Sequence, residues 1–318
     1  VTGPELAEAG RLLAAARRPV VFTGAGMSAE SGVPTFRDAQ TGLWQRYDPQ
    51  ELATPAAFRA DPALVWGWYE ARRHGVRRAR PNPGHRAVAA IRARCPETVV
   101  ITQNVDDLHE RGGVPAPVRL HGSLFAPRCS ACARPAPLPS DLPPPSDAPV
   151  SFGSPEAHDE AEPHDGPEPP GGPEPPGGPE PPGGPVSHAP EPHAGPLTPP
   201  ACAGCGAPVR PGVVWFGEAL PSAALDAAVE AASGCDLLLT VGTSALVHPA
   251  AEIPLVAARL GAPVVQVNPV PTPLDAICAV NLRGPAGEVL PALVRAAWPD
   301  ADAAWPDADA AWPDADAG

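Results

Sequence analysis

The 318 residues carry 36 acidic side chains against 22 basic ones, a formal charge of −14, with 43% hydrophobic and 18% charged residues. That balance is globular, long enough for one large domain or two modest ones, and it excludes a coiled coil or a wholly disordered chain. No stretch reaches the ~18 to 20 consecutive apolar residues of a membrane span, and residue 1 opens no charged-then-apolar export signal, so a soluble, cytoplasmic protein is expected.

The charge is unevenly spread. Residues 135–200 hold 24 of the 50 prolines and 11 acids without an arginine, and residues 298–318 hold six aspartates and no base. Subtracting those 17 negative charges leaves about 231 residues at +3, with 22 arginines against 19 acids. A nearly neutral folded part gives no case for a nucleic-acid partner, which requires a concentrated basic face. Lysine is absent, which removes Schiff-base and phosphate-gripping lysine chemistry.

In chain order, Leu6, Ala9, Leu13 and Ala16 recur at helical spacing and predict a first helix with one apolar stripe. The β-branched run Val20 to Thr23 predicts a strand covered on both faces. Gly24-Ala25-Gly26-Met27-Ser28-Ala29-Glu30-Ser31-Gly32 follows directly, and its glycines let backbone amides approach a diphosphate. It is not the full Gly-x-Gly-x-x-Gly fingerprint, and a glycine-rich turn from strand to helix also serves structure alone. Downstream, Phe36 is suited to cover a flat ring and Arg37 to face phosphate.

Asp61-Pro62 reads as a helix cap followed by proline at the first helical position. On that helix Val65, Tyr69 and Arg72 share a face, and a phenol beside a guanidinium can hold a carboxylate. The competing reading places Arg72 on a solvated basic face with Arg73, Arg77, Arg78 and Arg80. Val88, Ile91 and Cys95 mark another helix, and Thr98 to Thr102 a second strand that runs into Thr102-Gln103-Asn104-Val105-Asp106-Asp107-Leu108-His109. Amides and carboxylates at a strand's carboxyl end suit ribose hydroxyls and a carboxamide. Asp107 is expected to cap the helix that follows. His121, in Leu120-His121-Gly122-Ser123, sits in a loop where an imidazole can act as a base near neutral pH.

Cys129-x-x-Cys132 and Cys202-x-x-Cys205 form two knuckles that match a closed, structural zinc site of four cysteines. The 69 residues between them are no obstacle. Lengthening a loop from ~20 to ~69 residues costs on the order of 1 kcal/mol, against roughly 10 to 16 kcal/mol from structural zinc. A redox dithiol is the competing reading. Residues 135–200, with Pro-Glu-Pro-Pro-Gly-Gly three times within 167–184, read as a disordered insertion. Cys95, Cys235 and Cys278 read as buried, inert thiols.

Further strands are predicted at Leu237 to Val241, Val264 to Val267 and Val280 to Leu282. The alternation of strand and helix signals predicts an α/β, doubly wound parallel sheet with its ligand beyond the carboxyl ends of the strands. From Ala297 to Ala317 the unit Ala-Trp-Pro-Asp-Ala-Asp-Ala occurs three times, too few and too polar for a solenoid. A flexible acidic tail exposing Trp298, Trp305 and Trp312 is expected.

Gly24 to Arg37, Thr102 to His109, His121 to Ser123, Val213-Val214-Trp215-Phe216-Gly217-Glu218, Gly242-Thr243-Ser244 and Asn268-Pro269, in this order, together resemble the sirtuins, NAD-dependent protein deacylases. The resemblance spans nearly all of residues 1–297 except the insertion. It implies a Rossmann-like NAD-binding domain at 1–126 and 211–297, with a helical insertion at about 38–84. It also implies a small zinc module at 127–210, interrupted by 135–200; beyond the resemblance, 298–318 is the disordered acidic tail read from its composition.

By position, the resemblance implies that Gly24, Ala25, Gly26, Ser28, Glu30, Gln103, Gly242, Thr243, Ser244 and Asn268 contact NAD, with Phe36 and Arg37 in a cofactor loop. Asn104 would organise the nicotinamide ribose or a nearby water, Asp106 would hold the carboxamide, and His121 would take a proton from a ribose hydroxyl. Val213 to Glu218 resembles a segment that pairs with an extended peptide, so Val214, Trp215, Phe216 and Gly217 would contact an acyl-lysine substrate. For Trp215 and Phe216, ordinary core packing is the alternative. The four knuckle cysteines resemble the sirtuin zinc module.

Tyr69-Glu70-Ala71-Arg72 resembles the Tyr-x-x-Arg acyl reader of the subgroup that removes succinyl, malonyl and glutaryl groups. A charge-assisted bond of about 1.5 to 3 kcal/mol implies a preference of roughly ten- to a hundredfold for acidic acyl groups, with deacetylation secondary. ADP-ribosyl transfer, NAD hydrolysis and a non-catalytic NAD-sensing scaffold are the alternatives. Val105 in place of the more usual Ile, and the long zinc loop, depart from the family pattern.

Overall fold

The computed structural model describes residues 3–34, 48–138 and 197–300. The expected insertion, tail repeats and cofactor-loop residues Phe36 and Arg37 lie wholly or mostly outside them.

Helix α1 (Pro4–Ala15) starts on a proline at its first position and buries Ala9 and Leu13, as its stripe predicts. Strand β1 (Pro19–Thr23) is buried throughout, and the short α2 (Gly26–Ala29) follows its glycine turn. Among the described residues, four helices come next. Helices α3 (Pro49–Leu52) and α4 (Pro55–Ala60) take side-chain caps from Asp48 and Thr54. Helix α5 (Pro62–Arg78) is capped by Asp61, whose carboxylate accepts from the Leu64 amide at 2.8 Å. In α6 (Pro83–Arg94) the Asn82 side chain accepts from Gly84 and His85, and the His85 ring accepts in return from the Asn82 amide.

Strand β2 (Val99–Thr102) leads through a loop into α7 (Leu108–Arg111) and β3 (Val118–Arg119). Strands β4 (Gly122–Cys129) and β5 (Val209–Val213) pair antiparallel as a separate two-stranded ribbon. The chain then returns through α8 (Ser222–Gly234), β6 (Leu237–Val241), α9 (Ile253–Arg259), β7 (Val264–Val267), β8 (Val280–Leu282) and α10 (Ala286–Ala297).

The main sheet has the order β3-β2-β1-β6-β7-β8, with every neighbouring pair parallel. Setting the ribbon aside, this is the doubly wound order 3-2-1-4-5-6, whose direction reverses between β1 and β6. Alternate residues of each strand enter opposite cores. Val21, Val100, Leu239 and Val265 pack with α1, α6 and α10, whereas Val20, Phe22, Ile101 and Leu238 pack with α8 and α9. A third core joins Phe58, Val65, Trp68 and Tyr69 of α4 and α5 to Leu124 and Val213 of the ribbon and to Trp215. Val33 and Val105, on the segments after β1 and β2, pack against this third core, which therefore lies beside the reversal point and carries α5. Among the described residues, no helix is long and apolar enough to cross a membrane.

Candidate active site and metal centre

Where the strand order reverses, the loops after β1 and β6 touch. The Gly24 amide donates to Val241 at 2.9 Å and the Gly26 amide to Gly242 at 2.8 Å. A Cβ on Gly26 would lie 2.8 Å from the Gly242 Cα, and one on Gly242, whose φ is +60°, would lie 2.5 Å from the Met27 nitrogen. Only bare backbone fits here, so the glycines of both motifs serve this contact as well as the approach of a ligand. Ala25 is exposed on the rim, Thr243 is buried and accepts from Gln103 Nε2 at 3.0 Å, and Ser244 is partly buried beside it. Asn268, at the end of β7, is buried and donates from its amide to Val270 O at 2.8 Å.

The centre of the site is a buried polar triangle. Ser28 Oγ donates to Asp106 Oδ2 at 2.9 Å and accepts from Asn104 Nδ2 at 3.0 Å. All three residues are at most 7% exposed. Burial raises the Asp106 carboxyl above its ordinary range, against the bonds from the Leu108 amide and Ser28.

Two further groups hold the loop that carries Asn104 and Asp106. Thr102 Oγ1 accepts from the Asn104 amide at 3.0 Å and from Thr23 Oγ1 at 2.9 Å, and Thr23 Oγ1 meets His109 Nε2 at 3.0 Å. With Thr23 donating onward to Thr102, His109 Nε2 carries the proton. Arg119 donates to Asn104 O at 3.2 Å and Asp106 O at 2.7 Å, and pairs with Glu110 at 2.6 Å. The sequence reading missed Arg119 and Thr23, because their partners lie on other segments of the chain: Thr23 meets Thr102 and His109, and Arg119 meets Asn104, Asp106 and Glu110.

His121 Nδ1 lies 2.9 Å from Gln103 O. A carbonyl only accepts, so Nδ1 carries the proton and Nε2 presents its lone pair. Burial lowers its pKa from the ordinary histidine value, partly opposed by that bond, so the ring is neutral at pH 7. Its carbonyl accepts from the Val214 amide at 2.9 Å, which ties the histidine to the segment after β5.

In that segment Val214 is partly buried, Trp215 is 2% exposed, Phe216 is 45% exposed, and Gly217 takes φ +83°. Trp215 packs in the core, as the alternative reading had it, and Phe216 does not. Tyr69 is 1% exposed and accepts from Trp215 Nε1 at 3.0 Å. Arg72 is partly buried, its guanidinium 5.1 Å from the Trp68 ring centroid and within electrostatic reach of Tyr69 and Asp106. Arg77, Arg78 and Arg80 are exposed, so Arg72 is not one of a solvated row. Arg73 is turned inward, donating to Leu124 O at 2.9 Å and pairing with Glu70.

Glu30 bonds to a partner the sequence did not indicate, and the expected Asp107 cap is corrected. Glu30 is turned to α10, where its carboxylate accepts from the Gly287 amide at 2.6 Å, because a helix N-terminus attracts an anion. Asp107 occupies the cap position of α7 without a side-chain cap bond and pairs instead with Arg111 at 3.0 Å. The bond to the Leu108 amide comes from Asp106, at 3.0 Å.

At the far end of the ribbon, the Sγ atoms of Cys129, Cys132, Cys202 and Cys205 all lie within 4.8 Å of one another. Two edges measure 3.4 Å (Cys129–Cys205) and 3.8 Å (Cys132–Cys202), against about 3.8 Å for a tetrahedron with Zn–S bonds of ~2.3 Å. The amides of Ala131 and Cys132 donate to Cys129 Sγ and that of Gly204 to Cys202 Sγ, each at 3.4 Å, which favours thiolates. Four soft donors at this spacing fit a structural zinc ion. Cys95 is buried, Cys235 and Cys278 are partly buried, and burial raises the pKa of all three.

A model of the Sir2 family matches residues 24–249. The NAD-dependent protein deacylase of Methylococcus capsulatus is 53% identical over 281 residues, covering 88% of this chain and 92% of that protein. The NAD-dependent protein deacylase 1 of Pseudomonas aeruginosa is 52% identical over 288 residues, covering 91% and 97%. A solved Sir2 homologue in complex with NAD is similar with a TM-score of 0.68 and 38% identity, covering 91% of this chain and 92% of that one. The reversal-point glycines, the Ser28-Asn104-Asp106 triangle, the neutral His121 and the four-cysteine ribbon thus belong to a member of the Sir2 family.

Proposed function

We propose that this protein is an NAD-dependent lysine deacylase that prefers succinyl and malonyl groups, with acetyl secondary. The observation that carries the reading is the meeting, at the reversal point, of the Ser28-Asn104-Asp106 triangle with a guanidinium on α5 within reach of Asp106. Gly24, Ala25, Gly26, Gln103, Gly242, Thr243, Ser244 and Asn268 line the diphosphate and adenosine side of the cleft. Bound NAD would supply a glycosidic carbon whose bond to nicotinamide breaks as the acyl-amide oxygen takes it; water then completes cleavage of the acyl–nitrogen bond, giving nicotinamide, the free lysine and an O-acyl-ADP-ribose.

Asp106 holds the carboxamide and Asn104 orients the ribose or its water. Burial of both strengthens these bonds and keeps the reacting carbon dry. His121 Nε2 accepts a proton from a ribose hydroxyl while Gln103 O fixes the tautomer. The segment after β5 offers backbone groups for an extended peptide, with Val214 facing the acylated nitrogen and Phe216 exposed on its rim. Tyr69 and Arg72 receive an acyl carboxylate.

In this reading 1–126 and 211–297 form the NAD domain, with a helical insertion at about 38–84, and 127–210 is the zinc module. Seven cysteines with no disulfide among them, four of them placed for zinc, fit a reducing, cytoplasmic compartment.

The test compares matched acetylated, malonylated and succinylated peptides by nicotinamide release, with and without NAD. Release that depends on the peptide and is greatest with succinyl or malonyl supports the reading. Release indifferent to peptide points instead to NAD hydrolysis or ADP-ribosyl transfer, and NAD binding without release to a sensing scaffold.

A further inference from the structure

Trp215 is buried, yet it reaches the residue that would read the acyl group, and it is unusually constrained. The Arg210 guanidinium lies 3.4 Å from its ring centroid and pairs bidentately with Glu218 at 2.6 and 2.9 Å. Glu218 also accepts from the Trp215 backbone amide at 2.9 Å, and Arg210 donates to Val213 O at 3.0 Å. Phe58 packs at 5.3 Å between ring centroids. The indole Nε1–H of Trp215 therefore has a fixed direction, and its acceptor is the Tyr69 hydroxyl at 3.0 Å.

An indole nitrogen only donates, whereas a phenol both donates and accepts. Once the Tyr69 oxygen accepts from Trp215, its own proton must point elsewhere, away from the indole. A carboxylate only accepts, so it can use that proton; an acetyl methyl has no use for it.

We propose that Trp215 is a specificity-determining positioning residue, which commits the Tyr69 hydroxyl to donating toward an acidic acyl group, with Arg210 and Glu218 holding the indole. This rests on the acidic-acyl reading above. Trp215 acts through Tyr69 and touches no reacting atom.

The experiment measures kcat/KM for a succinylated and an acetylated peptide of one sequence in the wild type, Trp215→Phe, Tyr69→Phe and the double variant. Phenylalanine keeps an aromatic ring under Arg210 and deletes the donor together with the second ring of the indole, a loss of packing that acts on both peptides alike and so cancels in their ratio. The succinyl-to-acetyl ratio is expected to fall about five- to tenfold in Trp215→Phe, less than for a whole charge-assisted bond, because the Tyr69 hydroxyl stays and only its orientation is lost. In the double variant it should fall no further than in Tyr69→Phe, because one hydroxyl carries both effects.

Equal losses on both peptides, or additive losses in the double variant, overturn the assignment. A ratio that collapses in Tyr69→Phe and Arg72→Met but survives Trp215→Phe overturns the role of Trp215 alone. A wild-type ratio at or below one, unmoved by Tyr69→Phe and Arg72→Met, overturns the acidic-acyl reading and this inference with it. A second readout needs no Trp215 variant: the indole N–H resonance of 15N-labelled protein should move upfield and exchange faster in Tyr69→Phe. An unmoved resonance refutes the bond.

Discussion

Acid should unfold this protein partly through His109. The ring is 1% exposed, its Nε2–H is committed to Thr23, and burial, with the Arg119 charge, lowers its pKa from 6.5 to about 3. Its neighbour His85 is also buried, 5.1 Å away between ring centroids, and burial sets it well below the ordinary value. The sign follows from proton binding. Between pH 6.5 and 3 the unfolded histidine takes up a proton that the folded one refuses, so stability is whole above pH 6.5 and declines as the pH falls. At pH 5 the His109 contribution is about 1.5 pH units at 1.36 kcal/mol each, or about 2 kcal/mol. Asp106 and Asp107, whose pKa values burial raises, act in the opposite sense at lower pH, so the comparison must cancel them.

His109→Gln does so, because the glutamine amide can repeat the N–H bond to Thr23 without titrating. Urea unfolding at pH 7.5 and pH 5 should show the wild type losing about 2 kcal/mol more than the variant, or ~4 to 8 °C in melting temperature. Parallel losses in the two proteins would refute the buried neutral assignment.

Three other perturbations test separate parts of the structure. His121→Asn can keep an N–H bond to Gln103 O while deleting the Nε2 lone pair, so kcat should fall about 10²- to 10⁴-fold with unfolding unchanged. Because burial lowers the His121 pKa, wild-type kcat/KM should rise with pH below 6.5 and level off above it; a plateau reached only above pH 7.5 contradicts this. Gly242→Ala sets a Cβ 2.5 Å from the Met27 nitrogen at φ +60°. It should cost roughly 2 to 5 kcal/mol in urea unfolding and raise the KM for NAD. Cys202→Ser should lower bound zinc from about one ion per chain toward none and melt the ribbon, since the structural ion contributes roughly 10 to 16 kcal/mol. Elemental analysis with circular dichroism reads both, and an unchanged zinc content rejects the four-cysteine site.

Much of the frame was legible in the chain itself. Buried strands of a parallel sheet are largely apolar on both faces, so β1, β2, β6, β7 and β8 stand out as short, mostly apolar runs, and the strand-then-glycine order marks where the sheet reverses. Asp61-Pro62 announces the start of α5, because a cap and a first-position proline are local requirements. The two cysteine knuckles likewise show a ligand set whatever lies between them.

Tertiary structure decided where side chains with several possible partners point. Glu30 lies in the glycine-rich segment after β1, and its carboxylate bonds to a helix end 257 positions away. Asp107 reads as a cap but pairs with Arg111, while Asp106 takes the amide. Arg119 is an ordinary strand arginine until the fold lays it beneath Asn104 O and Asp106 O. Trp215 and Tyr69, 146 positions apart, share a hydrogen bond only because α5 packs on the ribbon. Strand, helix and turn signals come from neighbours along the backbone and so can be read in order. The partner of a charged or hydrogen-bonding group is whichever complementary group packing brings within about 3 Å, and that distance does not exist until the chain has folded.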